Sequence, residues 1–327
     1  MKIIAFVGMP ASGKSEASSV VEKLGIKVVN MGDVIREEVE RRSLEPTDAN
    51  IGGVANQLRN EEGFDVVAKR SVPKIMKLSE DLIAIDGIRG IAEVERFKKE
   101  FGEKFTLVSI DSPLDMRFKR VQKRKRSDDM ADINELKERD ERELSWGMDK
   151  AMEIADIVIE NTGTLDEFRN KIESLVEYLM VEVEVSAVVN PTENETYVAN
   201  ALKNIFGDIE LETLDTAQQH KKRLSGTGDV ETLKNLHEMF RKEKILDTGR
   251  MQLEGGLSID GLSTHFIINK QVASVGRMNF PADEEPLGSI HVTITTSSKD
   301  EMEKIFDWLT PPTKEGRPKF EMEIRQF

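Results

Sequence analysis

The sequence predicts a parallel α/β sheet over residues 1–180, then a smaller α+β domain with an antiparallel sheet over residues 181–327. Three observations carry this. Short apolar runs alternate with helical periodicity up to about residue 180, the pattern of strands joined by helices that cover both faces of a parallel sheet. The first run, Ile3–Val7, leads directly into Gly8-Met9-Pro10-Ala11-Ser12-Gly13-Lys14-Ser15, a complete G-x-x-x-x-G-K-S/T loop between a strand and a helix. Near Met180 the pattern changes, because Val181–Ala187 alternates strictly, as a strand with one wet face does.

The strand candidates of the first part are Ile3–Val7, Val28–Asn30, Leu82–Asp86, Phe105–Ile110 and Ile157–Glu160. Helical spacing fills most of the gaps, as in Ala17, Val20, Val21 and Leu24, or Phe168, Ile172, Leu175, Val176 and Leu179. Ser112, Pro113 and Asp115 open another helix: a capping hydroxyl, a proline at the first position and an acid in the first turn. With no flexible linker after it, the last helix of this domain runs almost straight into the second. There, Thr264–Ile268 and Ile290–Thr295 are further strands, and helices cover Asn194–Ile205, Val230–Lys242 and Lys299–Leu309. Pro281–Pro286 reads as an acidic loop and Pro311–Lys319 as an exposed tail segment.

At 327 residues the chain has room for two domains, each able to bury a core. Its formal charge of −14 argues against broad non-specific nucleic-acid binding, although a local basic patch remains open. The absence of cysteine removes disulfides, Cys-ligated zinc and thiol catalysis. No apolar run approaches the ~18 residues that a membrane span needs, and the chain opens on a strand, so a cytoplasmic protein is expected.

The loop carries the first chemistry. Its glycines let backbone N–H groups curl around phosphate oxygens, and the helix that follows adds its partial positive charge. Lys14 is placed to reach the β- and γ-phosphates, and Ser15 to ligate Mg²⁺. Gly8 through Ser15 therefore point to a bound nucleoside triphosphate, expected to be ATP with Mg²⁺.

Four further stretches resemble the nucleoside-monophosphate kinases, and that resemblance implies a P-loop nucleotide-kinase-like α/β fold. Met31-Gly32-Asp33-Val34-Ile35-Arg36 is similar to the adenylate kinase segment in which a Gly-Asp pair leads into an arginine-bearing helix. The likeness gives Arg36 the acceptor phosphate, which a guanidinium fork suits. Asp86-Gly87-Ile88-Arg89 resembles the Asp-Gly-Phe-Pro-Arg element of the same enzymes, without its Phe-Pro pair. By that resemblance Asp86 holds Mg²⁺ through water and Arg89 binds the acceptor phosphate. Glu93 stands where adenylate kinases often place a glutamine that reads adenine, and both departures count against AMP as the acceptor. The basic stretch from Arg117 to Arg126 resembles the lid, whose arginines close over the transferring phosphoryl group. Arg120 and Arg124 share a helix face, Arg126 opens an Arg-x-Asp-Asp run, and Arg139 or Arg142 supplies the last arginine. Glu160-Asn161-Thr162-Gly163-Thr164-Leu165 resembles the adenine-side loop of dephospho-coenzyme A kinases, which sets Asn161 and Gly163 beside the base. A strand-to-helix turn with glycine at positive φ reads this stretch equally well. A phosphate acceptor needs no base, whereas a hydroxyl needs a carboxylate to take its proton, with Asp33 as the candidate. Dephospho-coenzyme A kinases carry an Asp-x-Asp here, and Met31 occupies its first position.

The second half shows few catalytic constellations. His220, His237, His265 and His291 are scattered, with no metal spacing. Gln218-Gln219-His220-Lys221-Lys222-Arg223 is the one basic polar cluster and could meet RNA phosphates; an exposed loop before a helix is the plainer reading. Residues 181–327 hold 17 Lys and Arg against 25 Asp and Glu, so the domain is net acidic. Val183–Pro191, Asp215–Gly226 and Leu246–Gly256 carry a resemblance of the whole chain to an uncharacterised archaeal family. That family joins a nucleotide-kinase-like domain to an α+β domain similar to ribosomal RNA-binding proteins. Two functions follow: a phosphotransferase acting on a nucleotide-like small-molecule acceptor, or an RNA-associated NTPase whose second domain binds RNA.

Overall fold

The structure, a computed structural model, describes residues 1–124, 133–216 and 220–324. The chain forms two compact units, Met1–Glu173 and Ser174–Gln326.

The first unit is built on a five-stranded parallel sheet. In chain order its elements are β1 (Lys2–Val7), α1 (Lys14–Lys23), β2 (Lys27–Asn30), α2 (Gly32–Arg41), α3 (Asp48–Glu62), α4 (Val66–Ile75), β3 (Leu82–Asp86), α5 (Ile91–Phe101) and β4 (Phe105–Asp111). Then come α6 (Leu114–Arg124), α7 (Ile133–Ser145), α8 (Met148–Glu153), β5 (Ile157–Glu160) and α9 (Leu165–Met180), whose last residues belong to the second unit. The strand order is β2-β3-β1-β4-β5, and every pairing is parallel. Ile3 through Val7 are all buried, as expected of a central strand covered by helices on both faces. The chain steps from β1 outward to β2, back to β3, then across β1 to β4. This reversal opens a crevice at the carboxyl end of β1, where ligands of open α/β sheets bind.

Helix α1 buries Ala17, Val20 and Val21, α2 buries Val34, Ile35 and Val39, and α5 buries Val94 and Phe97. Phe97 stacks on Phe101 and Phe105 and closes the end of this core. Thr164 and Glu167 start α9 as a reciprocal capping box, each side chain accepting the other's backbone N–H. Gly163 is not at positive φ, contrary to one of the two sequence readings; a Cβ there would collide with the Glu167 carboxylate.

The second unit holds a five-stranded antiparallel sheet of order β7-β8-β6-β10-β9. Its elements are β6 (Glu182–Val189), α10 (Glu195–Phe206), β7 (Glu212–Asp215), β8 (Lys222–Gly228), α11 (Lys234–Lys242), α12 (Leu246–Gly255), β9 (Ser263–Ile268), α13 (Lys270–Ser274), β10 (Ile290–Thr295) and α14 (Lys299–Leu309). Val183, Val185, Ala187 and Val189 point into the core, as the alternation required.

Four details depart from the sequence reading. Strands β7 and β8 lack an alternating apolar pattern and arise from pairing: β8 matches β6 over seven residues, so Lys222 and Arg223 lie on a strand, not on a loop before a helix. Gln218 and Gln219 lie outside the described residues. Val230–Leu233 is a separate 3₁₀ turn ahead of α11. Thr313–Lys314 and Arg317–Pro318, here β11 and β12, form a small hairpin whose turn residues Glu315 and Gly316 both have positive φ, as a two-residue type I′ turn requires. His265 and His291, far apart in sequence, meet across β9 and β10 with ring nitrogens 3.2 Å apart, and Glu284 stands 3.2 Å from His291. Even so, among the described residues no group of three or more His, Cys, Asp or Glu side chains is arranged to hold a metal ion. No described helix is long and apolar enough to cross a membrane.

Candidate functional site

The loop from Gly8 to Ser15 connects β1 to α1 at the crevice. Gly8 and Gly13 adopt φ of 150° and 124°. A Cβ on Gly8 would stand 2.5 Å from the Ile110 carbonyl, and one on Gly13 would stand 2.6 Å from the Asn161 amide nitrogen. Both glycines are therefore needed for backbone conformation and for close approach. Ser12 donates its N–H to the Met9 carbonyl at 3.1 Å, which closes the turn that carries Pro10 and Ala11.

Lys14, the first residue of α1, folds its Nζ onto the Gly8 and Met9 carbonyls. Burial of the ammonium lowers its pKa to about 8; nearby Glu143 opposes the shift, Arg89 and Arg139 add to it, and Asp86 opposes it more weakly. Lys14, Asp86, Arg89, Arg139 and Glu143 thus share one electrostatic neighbourhood. Asp86 ends β3 beside β1, and Ser15 is exposed at the end of the loop. Neither the Asp86 carboxylate nor the Ser15 hydroxyl has a side-chain hydrogen bond or ion pair among the described residues.

A buried polar frame holds the loop from behind. Asn161 donates from its side chain to the Ser12 carbonyl at 2.8 Å. Arg120 donates to the Ser12 carbonyl, the Ser112 hydroxyl, and both the backbone and side-chain oxygens of Asn161. With four protein acceptors on its guanidinium, Arg120 occupies a loop-supporting position, not the lid-closing one expected. Arg117 adds a second brace. It donates to the Pro10 and Ser112 carbonyls and bidentately to Asp140 at 2.9 and 2.7 Å. Arg139 lies next to Asp140 on α7 and makes no side-chain hydrogen bond or ion pair among the described residues. Arg142 is exposed. Arg126 lies outside the described residues, as does the side chain of Arg124.

On the other side of the crevice, Arg36 pairs with Asp33 one helical turn away, and both are more than half exposed. Arg89 donates to Glu143 at 3.3 Å. Glu93 is buried on α5, where one of its oxygens accepts the Arg89 backbone N–H at 2.7 Å. Glu143, Arg59 and Trp146 also line this region, and the sequence reading did not single them out. Glu143 was hidden in the charged run of α7. Trp146 carried the one visible signal, being one of only two tryptophans in the chain.

A family model described as an AAA domain matches residues 7–137, and one described as RNA binding matches residues 182–296. A UPF0200/UPF0201 protein of Archaeoglobus fulgidus is 46% identical over 322 residues, covering 97% of both chains. A UPF0200 protein of Methanosarcina barkeri is 59% identical over 180 residues, which is 55% of this chain and 97% of that protein. A crystal structure of a UPF0201 protein from Methanococcus jannaschii, 34% identical, covers 42% of this chain and 98% of its own, with a TM-score of 0.38.

Proposed function

We propose, for a chain that belongs to the UPF0200/UPF0201 family, that residues 1–180 transfer the γ-phosphoryl group of ATP to a small anionic acceptor. The observation that carries this reading is the cluster of Lys14, Asp86, Arg89, Arg139 and Glu143 around the loop at the carboxyl ends of β1 and β3. Lys14 neutralises the β- and γ-phosphates once it swings off the loop carbonyls. Gly8–Ser15 supply backbone N–H groups, and Arg139 adds positive charge from α7. Arg36 and Arg89 hold the acceptor's anionic group in line with the γ-phosphorus. There a new P–O bond forms as the bond to the β–γ bridging oxygen breaks, and positioning and charge neutralisation supply the rate. Ser15 and Asp86, whose side-chain oxygens have no partner among the described residues, would hold Mg²⁺, and that ion would neutralise charge on the phosphates. A phosphate oxygen on the acceptor needs no base; with a hydroxyl acceptor, Asp33 would take the proton. The test is ATP binding by calorimetry with Mg²⁺, followed by ADP release with candidate acceptors. Absence of ATP binding would reject the reading.

The match of an RNA-binding model to residues 182–296 favours a second reading, in which this unit docks RNA and the first acts as its NTPase. Lys221, Lys222 and Arg223 are its candidate phosphate contacts, although Lys222 already pairs with Glu195. RNA-stimulated ATP hydrolysis without an acceptor would favour this alternative.

A further inference from the structure

The proposed reaction leaves one member of the Lys14 cluster without a task. Glu143 lies on α7 and is 3% exposed. Its Oε1 accepts from the Arg89 guanidinium at 3.3 Å. Its Oε2 is buried and has no hydrogen-bond partner among the described residues. A buried carboxylate answered by one long hydrogen bond is costly to the fold. The charges around it offset that cost. Of the two acids in the cluster, Glu143 acts on the Lys14 ammonium more strongly than Asp86 does, and more strongly than either Arg89 or Arg139.

Helix α7 keeps that carboxylate in place. Leu136, Asp140 and Glu143 form its buried stripe, at the i, i+4, i+7 spacing of one helix face. Asp140 is clamped by Arg117, which also donates to the Pro10 carbonyl of the phosphate loop. Past the end of the helix, the Trp146 carbonyl accepts the Ile91 N–H at 3.3 Å. Gly90 leaves room for that contact, since a Cβ there would collide with the same carbonyl. The helix is thus tied to the loop on one side of Glu143 and to the start of α5, next to Arg89, on the other. The Arg89 side chain lacks such support. It is 44% exposed, and Glu143 is its one ion-pair partner among the described residues.

We propose that Glu143 is a positioning residue for phosphoryl transfer: it holds the Arg89 guanidinium at the crevice in the free protein and counterbalances Lys14, Arg89 and Arg139 until the phosphates arrive. The inference rests on the phosphotransferase reading and gives Arg89 a preset orientation toward the acceptor's anionic group. Glu143 itself touches no substrate, because its free oxygen is enclosed by protein. Without it three like charges repel, and the half-exposed Arg89 is free to turn to solvent. The same carboxylate opposes the charge of the triphosphate, so ATP binds more weakly than the cations alone would make it. Loss of a merely structural brace would weaken ATP binding or leave it unchanged; loss of this charge strengthens it.

The experiment compares the full chain with Glu143→Gln, which keeps the shape of the side chain and removes its charge. Calorimetry with Mg²⁺ and ATP at pH 6.5 should show the variant binding at least about threefold more tightly. In ¹⁵N-resolved NMR of the free parent, the Arg89 Nε–H group, assigned by its loss in Arg89→Lys, should give a signal protected from solvent exchange. In Glu143→Gln that protection should disappear. Glu143→Asp keeps the charge and should keep the parent's ATP affinity while weakening the Arg89 signal. The parent signal requires no change at Glu143, so it tests the holding of Arg89 even if Glu143→Gln does not fold. Equal or weaker ATP binding by Glu143→Gln overturns this role alone, as does an Arg89 signal that is unprotected in the parent or unchanged in the variant. A parent that does not bind ATP overturns it together with the phosphotransferase reading.

Discussion

Lys14 joins the geometry of the loop to its chemistry. Its ammonium is enclosed and lies close to Arg89 and Arg139, so the free protein gives up this proton at about pH 8. An arriving triphosphate favours the protonated form, so affinity depends on the proton being present. ATP affinity should hold level below pH 7 and decline as pH rises through 8, and in Lys14→Ala it should be weak at every pH. Calorimetry at pH 6.5 and 9 checks both, and equal ATP affinity of the variant and the parent would remove Lys14 from the site. Arg36 and Arg89 give a separate outcome. A charge-assisted contact is worth about 1.5–3 kcal/mol, so Arg36→Ala should raise the acceptor KM at least about tenfold and leave ATP affinity unchanged. A loss confined to ATP binding would move the acceptor site elsewhere. As members of the candidate site, Lys14, Ser15, Arg36, Asp86 and Arg89 could be located from the sequence because each sits at a set distance from a strand end, where local spacing determines location. Glu143, Arg59 and Trp146 were not. They reach the site through helix packing between segments tens of residues apart, which leaves no periodic trace.

Among the helices, two polar ties hold the first unit together. Glu38, on α2, is 5% exposed and accepts from Arg41 and Arg42 on its own side and from Arg70 of α4. Hydrogen bonds from Arg41, then from Arg42, hold its carboxyl down to about 2. A depressed carboxylate adds stability that is complete above its ordinary pKa of about 4.5 and is lost as pH falls through about 2. Glu38→Gln should therefore cost about 2 kcal/mol at pH 7, with the gap to the parent narrowing below pH 4. Urea titrations at several pH values test this, and a gap that stays constant from pH 7 to pH 3 would refute it. The second tie, Arg117 to Asp140, fastens α7 to α6 and, through the Pro10 carbonyl, to the phosphate loop. Breaking a buried pair from one side leaves a charge unpaired and costs about 3–5 kcal/mol. Arg117→Met or Asp140→Leu alone should lower Tm sharply and weaken ATP binding, and the double variant should cost less than the two together. Strict additivity in a double-mutant cycle would show that the pair does not couple. Local pattern located α6 from its Ser-Pro-x-Asp start. It was silent on β7 and β8, whose identity comes from hydrogen bonds to β6 and not from their own side chains.

At the scale of the whole molecule, the proposed function assigns the chemistry to residues 1–180 and leaves binding or assembly to residues 181–327. Residues 1–180 expressed alone should keep measurable phosphotransfer or ATP hydrolysis. A soluble 1–180 fragment that binds ATP yet stays inactive until residues 181–327 are added back would contradict this division. RNA binding by residues 181–327 should fall with rising salt and on replacing Lys221, Lys222 and Arg223, because phosphate contacts release counterions; binding insensitive to both would exclude these residues as the contact. The sequence alone established the two fold classes and placed a G-x-x-x-x-G-K-S loop and the candidate residues at the strand ends. These follow from repeat periods of 2 and 3.6 residues and from a glycine loop whose backbone angles few other residues accept. Long-range packing settled three further features: the turning of Arg120 inward to brace the loop, the meeting of His265 and His291, and the enclosure of Glu93 beside Trp146. In each case a side chain's partner comes from a distant segment. Its surroundings, and hence its charge state and chemistry, exist only after the helices have packed onto the sheet.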